Sequence, residues 1–363
     1  MEQNEILLIH GRAYQRMTME LLERADLASE IGDRNARIAL KPNLVLAATA
    51  DSGAVTHPEI VAGVLEYLHS HGFRDIRVIE GSWVGARTGP AVKLSGIGAV
   101  CDKYQVPFID LQKSSSHSVT AKGMELRICD EAANTDFLIN LPVLKGHCQT
   151  LMTCALKNMK GLLPNTEKRR FHSMGLHKPI AYLSAAVKQN FILVDNICGD
   201  LDFEEGGNPV PMDRIFCCKD PVLCDAFGCQ TMGLSLEDVP YIGIAERLGV
   251  GSADVSTAKI TALNSCSSAQ MGRSSRRIQN LEGYVEPKNA CSACYGMLIH
   301  ALDKMERLDE LWGHQQKLCI GQGYRGEAGE IGIGSCTKGC DKFLSGCPPT
   351  AEEILRFLQD TWI

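Results

Sequence analysis

The stretch THPEIVAGVLEYLHSHGFRDIRVIEGSW, residues 56–83, decides the fold class, because it joins an amphipathic helix to a short apolar strand. Five apolar side chains recur with a helical period and share one face: Ile60, Val61, Val64, Leu65 and Leu68. Thr56 and Glu59 have the spacing of a capping box at the start of this helix, and Gly72 suits its end. The run IRVI, residues 76–79, is rich in β-branched side chains and predicts a strand that follows at once.

The same alternation of short apolar runs and amphipathic segments extends to residue 200. The strands that it predicts are 6–9, 38–40, 76–79, 108–111, 137–141 and 191–194. Strands separated by helices form a mostly parallel sheet with helices on both faces. We therefore predict a doubly wound α/β domain over residues 1–265, a polar boundary or exposed connection from about residue 255 to residue 283, and a small cysteine-rich module over residues 285–363.

Composition and charge exclude several classes of function. The chain has 363 residues, a net charge of −6 and 45% hydrophobic residues, as a folded globular protein does. Binding to nucleic acid or to an anionic membrane depends on clustered Lys and Arg, so we expect neither partner. The short basic run 168–170 is expected to be a solvated face or loop, with an anion-binding site as the alternative. The start MEQNEILLIHGR lacks the positive charge of a signal peptide, and no apolar run approaches the roughly 18 residues that span a bilayer. A cytoplasmic location is therefore expected.

Cysteine is abundant, with 16 residues in the chain, and six of them lie between Cys291 and Cys347. In a reducing compartment such cysteines bind metal, react or pack instead of forming disulfides. CSAC at 291–294 offers two thiolates from one turn, and CPP at 347–349 has the Cys-Pro form that often closes a [4Fe-4S] ligand set. The predicted cluster ligands are Cys291, Cys294, Cys336 and Cys347, with Cys319 and Cys340 in reserve. A zinc site and simple packing are the alternatives.

Polar side chains follow the predicted strands at places where a ligand would bind. Ligands of open α/β sheets lie beyond the carboxyl ends of the strands. The residues that come there are Asn43, Glu80, Lys145 and His147. We expect these side chains to meet at one edge of the sheet.

The segment QTLMTCALKNMKG, residues 149–161, has a period that predicts a helix beginning beneath His147. One stripe of that helix is polar or small: Thr150, Cys154, Lys157, Asn158 and Gly161. The helix N-terminus, together with Lys145, Lys157 and Lys160, favours a small anionic ligand such as a phosphate or a carboxylate. His147 is the natural proton carrier near pH 7, and a buried lysine there could act as a nucleophile. The alternative is that these residues are solvated or bond to backbone.

Seven motifs, in order along the chain, resemble the landmarks of the DUF362 family: LKPNLV (40–45), THPEIV (56–61), VIEGSW (78–83), NLPVLKGHCQT (140–150), ALKNMKGLLP (155–164), VDNICG (194–199) and KDPVLCDAFG (219–228). The resemblance implies an iron–sulfur centre and leaves the reaction open. The tail with CSAC and GCPPT resembles the cysteine-rich extension of one branch of these proteins. After VDNICG the chain departs from the family pattern with the acidic run DLDFEEGGNP (200–209), which we expect to be a solvated loop, with a hard-cation site as the alternative.

A K-x-H…K…H order is similar to the cofactor-binding segment of the lactate racemase family. The resemblance implies that Lys157 would carry a nickel-pincer nucleotide covalently. It also implies that His172 would ligate the nickel and that His147 would move the substrate proton. A second metal or nucleotide-like cofactor at Lys157 is therefore an alternative to a simple anion site.

These patterns lead to three hypotheses about function. The first is a cytosolic iron–sulfur oxidoreductase whose C-terminal [4Fe-4S] cluster exchanges electrons with a ligand site around Lys145 to His172, and with a ferredoxin- or flavodoxin-like protein. Its predicted ligand-binding residues are Asn43, Glu80, Lys145, Asn158 and Lys160, and its predicted catalytic residues are His147, Lys157 and His172. The second is a non-redox racemase or epimerase with a metal cofactor at Lys157. The third is an iron–sulfur carrier or assembly protein.

Overall fold

The computed structural model describes residues 1–265, 280–311 and 316–362, and these residues fall into two compact units. The first unit comprises Met1–Lys168 and His177–Arg273, and the second comprises Arg169–Leu176 and Ser274–Ile363. The predicted polar connection at about 255–283 lies partly outside the described residues, because residues 266–279 are not among them.

An eight-stranded, largely parallel sheet organises the first unit. The strands of this unit are β1 (Glu5–His10), β2 (Ile38–Pro42), β3 (Ile76–Glu80), β4 (Phe108–Asp110), β5 (Ser116–Ala121), β6 (Met124–Cys129), β7 (Phe137–Leu141), β8 (Lys145–His147), β9 (Leu151–Thr153), β10 (Phe191–Asn196), β11 (Arg214–Cys218) and β12 (Lys259–Ala262). The sheet has the order β12-β1-β11-β10-β7-β2-β3-β4, in which β11 is antiparallel to both neighbours and the other pairs are parallel. The pairs β5/β6 and β8/β9 are antiparallel hairpins. All six predicted strands occur, which confirms the prediction of an α/β fold with a mostly parallel sheet.

Helices cover both faces of this sheet. They are α1 (Tyr14–Ala25), α2 (Leu27–Ile31), α3 (Pro58–Ser70), α4 (Thr88–Leu94), α5 (Ile97–Tyr104), α6 (Asp130–Ala133), α7 (Ala155–Asn158), α9 (His177–Ala186), α10 (Pro221–Thr231) and α11 (Pro240–Arg247). The helix α8 (Asn165–Ser173) begins in the first unit and ends in the second. Leu40 and Ile139 join the core formed with α1 and α3. Leu138 and Ile192 point to the opposite face, since side chains alternate along a strand, and they are equally buried.

The start of α3 differs from the sequence prediction. The helix begins at Pro58, and its N-terminus has no side-chain cap, so the predicted capping box of Thr56 and Glu59 is wrong. The Thr56 hydroxyl instead donates to the carbonyl of Leu141 at 2.8 Å and accepts the amide of Asn43 at 2.7 Å. Thr56 therefore ties together the carboxyl ends of β2 and β7, because two buried backbone groups there need partners.

The second unit is built on a four-stranded, all-parallel sheet. Its strands are β13 (Val285–Pro287), β14 (Leu318–Ile320), β15 (Gly329–Ile333) and β16 (Cys340–Leu344), in that order across the sheet. Its helices α12 (Ser292–Arg307) and α13 (Ala351–Trp362) pack together, and α13 is the terminal helix expected from the sequence. Because all pairs are parallel, the carboxyl ends of the four strands lie at one edge.

Among the helices that the structure describes, none combines the length and the apolarity needed to cross a membrane.

Candidate functional site

Four buried lysines lie beyond the carboxyl ends of the main sheet in the first unit. The exposed fraction is 0% for Lys41 and Lys145, 3% for Lys157 and 4% for Lys168. A buried ammonium group is destabilising unless acceptors surround it closely. The partners of these four amines therefore define the site.

Hydrogen bonds of the Lys41 amine and the Asn158 side chain link the predicted residues Asn43, Glu80 and Asn158. The Lys41 amine donates to Glu80 Oε2 at 2.5 Å and to Asn158 Oδ1 at 3.2 Å. Asn43 Nδ2 donates to the same Asn158 oxygen at 3.0 Å. Burial lowers the pKa of Lys41, and the Glu80 carboxylate opposes that shift. Asn43, Glu80 and Asn158 therefore do meet at one edge of the sheet.

Glu204 joins the predicted pair His147 and Lys157. Its Oε1 accepts from the Lys157 amine at 2.6 Å, and its Oε2 lies 3.0 Å from His147 Nε2. His147 Nδ1 accepts the amides of Gln149 and Thr150 at 2.9 and 3.1 Å, so the ring hydrogen is on Nε2 and faces Glu204. Burial and the Lys157 charge lower the pKa of His147 to about 4. Burial alone would raise the pKa of Glu204, but Lys157 and His147 hold it well below its usual range.

Two further lysines are held by carbonyl oxygens. The Lys145 amine donates to the carbonyls of Ala54 at 2.5 Å and Glu204 at 2.7 Å, and burial lowers its pKa to about 8 although Glu204 opposes the shift. The Lys168 amine donates to the carbonyls of Gly81 at 2.7 Å and Ser82 at 2.8 Å, and burial lowers its pKa to about 8 as well. The prediction that Lys168 is solvated is wrong. Both amines titrate near neutral pH, where a neutral amine can act as a nucleophile or a base.

The predicted helix over residues 149–161 is wrong in its first half. The hairpin of β8 and β9 occupies 145–153, and α7 begins only at Ala155. Within this hairpin Gly146 lies so close to the carbonyl of Leu201 that an added Cβ would be 2.0 Å from that oxygen. The stripe expected to begin at Thr150 therefore does not exist.

The start of α7 is also not an anion site. The amides of Ala155 and Leu156 donate to the carboxylate of Asp225, at 2.7 Å for Ala155 and 3.3 Å for Leu156. Cys154 is buried beside Cys224 and Asp225 and does not face outward as predicted. The helix N-terminus is therefore already neutralised by a buried carboxylate.

The acidic run after residue 199 is not a solvated loop, so that expectation is also wrong. Asp200, Asp202 and Glu204 are all buried. The Asp200 carboxylate accepts the amides of Asp202 and Phe203, each at 2.7 Å, and so folds the run back on itself. This turn carries Glu204 to His147 and Lys157.

The remaining predicted residues lie elsewhere. Lys160 is partly exposed in the 3₁₀ turn that follows α7. His172 belongs to the second unit, whereas His147 and Lys157 belong to the first. Sequence reasoning missed Asn140, which accepts from Asn158 Nδ2 at 2.7 Å. It considered Lys168 only as part of a basic run and Glu204 only as part of an acidic run. A polar residue inside an apolar strand, as in FLINL, is the signal that could have identified Asn140.

The second unit gathers the four predicted cluster cysteines. Cys291 precedes α12 and Cys294 lies in its first turn, while Cys336 follows β15 and Cys347 follows β16. Burial raises the pKa of Cys294, and the neighbouring thiols of Cys291, Cys347 and Cys336 raise it further. Contact with Cys336 raises the pKa of the Arg325 guanidinium, and Gln322 Nε2 donates to Cys291 Sγ at 3.5 Å.

Cys319 and Cys340 form a separate cluster with Tyr324. Both thiols are buried, and burial together with the Cys319 thiol raises the pKa of Cys340 to about 11. These two cysteines are therefore packed against each other and not beside Cys294.

Four thiolates on one zinc ion lie about 4 Å apart, because each Zn–S bond is about 2.3 Å. Among the described residues, the three side chains whose ligand atoms all lie within 4.8 Å of one another are Cys154, Cys224 and Asp225. This set includes none of the four predicted cysteines.

The fold and its sites define an α/β protein with a buried lysine–carboxylate network in one unit and a four-cysteine edge in the other. The chain belongs to the DUF362 family, a domain of unknown function, whose model matches residues 38–230, more than half of the chain. It is 24% identical over 225 residues to the thylakoid-associated protein sll1697 of Synechocystis sp., a match that covers 59% of this chain and 68% of that protein.

Two solved structures are similar to the chain. The lactate racemase apoprotein from Thermoanaerobacterium thermosaccharolyticum has a TM-score of 0.43 and 14% identity, covering 63% of this chain and 57% of that one. A protein from Thermotoga maritima has a TM-score of 0.36 and 13% identity, covering 56% and 54%. The chain thus spans little more than half of each solved relative.

Proposed function

We propose that this chain is a cytosolic iron–sulfur protein that binds one [4Fe-4S] cluster through Cys291, Cys294, Cys336 and Cys347. The observation that carries the proposal is the meeting of these cysteines at one edge of the small parallel sheet, around the half-buried Cys294. Arg169 and Arg325 place positive charge beside the thiols, which would stabilise four thiolates and a bound cluster. The cluster would supply one-electron transfer.

The lysine network of the first unit would bind the compound that is oxidised or reduced. Lys145 and Lys168 can change protonation near neutral pH, and His147 is a neutral ring beside a carboxylate. Such groups suit a small ligand with a carboxylate or phosphate and can move its protons. A ferredoxin- or flavodoxin-like protein would exchange electrons with the cluster. The chain would then be an iron–sulfur oxidoreductase.

Anaerobic reconstitution with iron and sulfide tests the cluster. The wild type should turn brown, absorb broadly near 400 nm with bleaching by dithionite, and hold about four irons per chain. Cys347→Ser should lose most of this iron. Cys319→Ser is the matched control, because its thiol lies in the separate cluster with Tyr324, and it should reconstitute like the wild type.

Two results would contradict the proposal. A colourless protein that holds one zinc ion would show that these cysteines form a structural zinc site and not a cluster site. Equal iron loss in Cys347→Ser and Cys319→Ser would show that the four ligands are assigned wrongly. Transfer of an intact cluster to an apo-protein, with no dithionite-driven turnover, would instead support a carrier or assembly function.

A racemase- or epimerase-like enzyme is the second candidate, since Lys157 and His147 share Glu204. A covalent adduct on Lys157 would place a cofactor within reach of a neutral histidine that can accept a proton. Intact mass should then show an adduct, and metal analysis nickel, both absent in Lys157→Ala. An unmodified mass in protein from the native host would exclude this candidate.

A further inference from the structure

Near the end of β10, and outside the lysine network, Asp195 contacts His57 and His57 contacts Cys198. His57 Nδ1 lies 2.8 Å from Asp195 Oδ2, and His57 Nε2 lies 3.8 Å from Cys198 Sγ. Asp195 is 1% exposed and also accepts the amides of His57 at 2.8 Å and Ile197 at 3.1 Å. The carboxylate is therefore fixed, and it orients the ring so that Nε2 faces the sulfur.

The charge of the histidine is set by this arrangement. Burial favours the neutral ring, but Asp195 and Cys198 outweigh it and raise the pKa of His57 to about 11. The edge of Tyr14 also faces the ring at 5.5 Å, and its hydroxyl donates to Asp213 at 2.9 Å. An imidazolium held beside a sulfur stabilises the thiolate form, which is the nucleophile.

The thiol is also within reach of a reagent. Cys198 is partly exposed, unlike Cys154, Cys217 and Cys224 of the same unit, which are buried. The His57 side chain is 12% exposed. A sulfur nucleophile, a cationic ring beside it and the carboxylate that orients the ring are thus present together at a surface.

We infer that Cys198, His57 and Asp195 form a nucleophilic thiol site that attacks a carbon electrophile bearing a leaving group. The sulfur electron pair forms the S–C bond, the bond to the leaving group breaks, and the leaving group departs with its electron pair. His57 stays protonated beside the sulfur throughout, and its positive charge stabilises the thiolate that attacks. Asp195 is a positioning residue, because it acts through His57.

Alkylation of the full-length protein by iodoacetamide at pH 7, followed by peptide mapping, tests this site. The S–C bond forms and iodide leaves. An ordinary thiol is only a few per cent thiolate at pH 7, so Cys198 should react roughly tenfold faster than glutathione. His57→Gln should lower that rate roughly tenfold, and Asp195→Asn should lower it in the same direction.

The matched control is His117→Gln. His117 Nδ1 also pairs with an aspartate, Asp130, at 2.7 Å, but it has no role in the proposed site. This variant should leave Cys198 as reactive as in the wild type. Cys217 and Cys224 report folding in the same digest, because they stay unlabelled while the core is intact. Cys198 reacting no faster than glutathione, or equally fast in folded His57→Gln, would overturn the inference.

Discussion

At the scale of single residues, Glu204 interacts with three buried side chains of the first unit. Its carboxylate neutralises the Lys157 amine at 2.6 Å and lies 3.0 Å from the neutral His147 ring, and its backbone carbonyl accepts from Lys145 at 2.7 Å. Removing one partner of a buried ion pair leaves the other charge without compensation. Lys157 therefore depends on Glu204 for its counter-charge.

Glu204→Gln should lower the free energy of unfolding by about 3 kcal/mol at pH 7, because Lys157 loses its buried counter-charge. Urea denaturation measures the change. Glu2→Gln is the control, since it breaks only the exposed pair of Glu2 with Lys259 and should leave stability unchanged. Equal stabilities of Glu204→Gln and the wild type would show that the network is not an ion pair.

His147 should make the protein less stable in acid. Its folded pKa of about 4 lies below the ordinary value of 6.5, so the unfolded chain binds a proton as the pH falls while the native ring stays neutral. This contribution is complete above pH 6.5 and is lost as the pH falls toward 4. From pH 7 to 4.5 the wild type should lose about 2 kcal/mol more than His147→Gln. Parallel pH profiles of the two proteins would contradict this assignment.

At the scale of elements, the hairpin of β8 and β9 is what places His147 and Lys157 beside Glu204. The hairpin packs closely against the acidic turn at Gly146, and this approach is possible only because Gly146 has no side chain. The Asp225 carboxylate accepts the first amides of α7 and so fixes where this helix begins. The hairpin, the acidic turn and α7 thus bring His147, Lys157 and Glu204 together. In a single helix, His147 and Lys157 would lie far apart along one face.

Gly146→Ala should be strongly destabilising, since its Cβ would lie 2.0 Å from the carbonyl oxygen of Leu201 and the backbone must move. A loss of about 2 kcal/mol or more is expected from such overpacking. Gly89→Ala is the control, because Gly89 lies in α4 with nothing within 4 Å of the added atom. Thermal unfolding compares the two. A smaller loss in Gly146→Ala than in Gly89→Ala would contradict the close approach.

The sequence predicted the strands well and the site only in part. Residues such as Phe137–Leu141 are apolar without interruption, and burial on both faces of a parallel sheet produces that pattern directly. The helix over 149–161 failed because its period is equally compatible with a short helix after a hairpin, and the deciding contact, Gly146 with Leu201, is distant in sequence. Glu204 was missed as a ligand partner because a run of acids is usually solvated, and only tertiary contacts show otherwise.

At the scale of the whole molecule, the chain divides into two compact units with different chemistry. The first concentrates buried lysines and carboxylates, and the second concentrates thiols at one edge of a sheet. A ligand that binds only the native form stabilises the part that contains its site. Cluster binding should therefore act on one unit.

Calorimetry of the full-length protein should show two transitions, one for each unit. Anaerobic loading with iron and sulfide should raise only one of them, by roughly 10 °C if binding contributes about 2 kcal/mol. Loading Cys347→Ser should move neither transition. An equal rise of both transitions in the wild type would argue that the cluster stabilises the chain as one cooperative body.

The order of the main sheet has a consequence for synthesis on the ribosome. β1 is made long before its neighbours in the sheet, β11 and β12, which begin at Arg214 and Lys259. At about 5 to 20 residues per second, roughly 10 to 40 s pass before β11 follows β1 out of the ribosome. During that time EILLIH, residues 5–10, is an apolar strand with no sheet to join. A chaperone that holds extended apolar segments would meet this protein at its first strand.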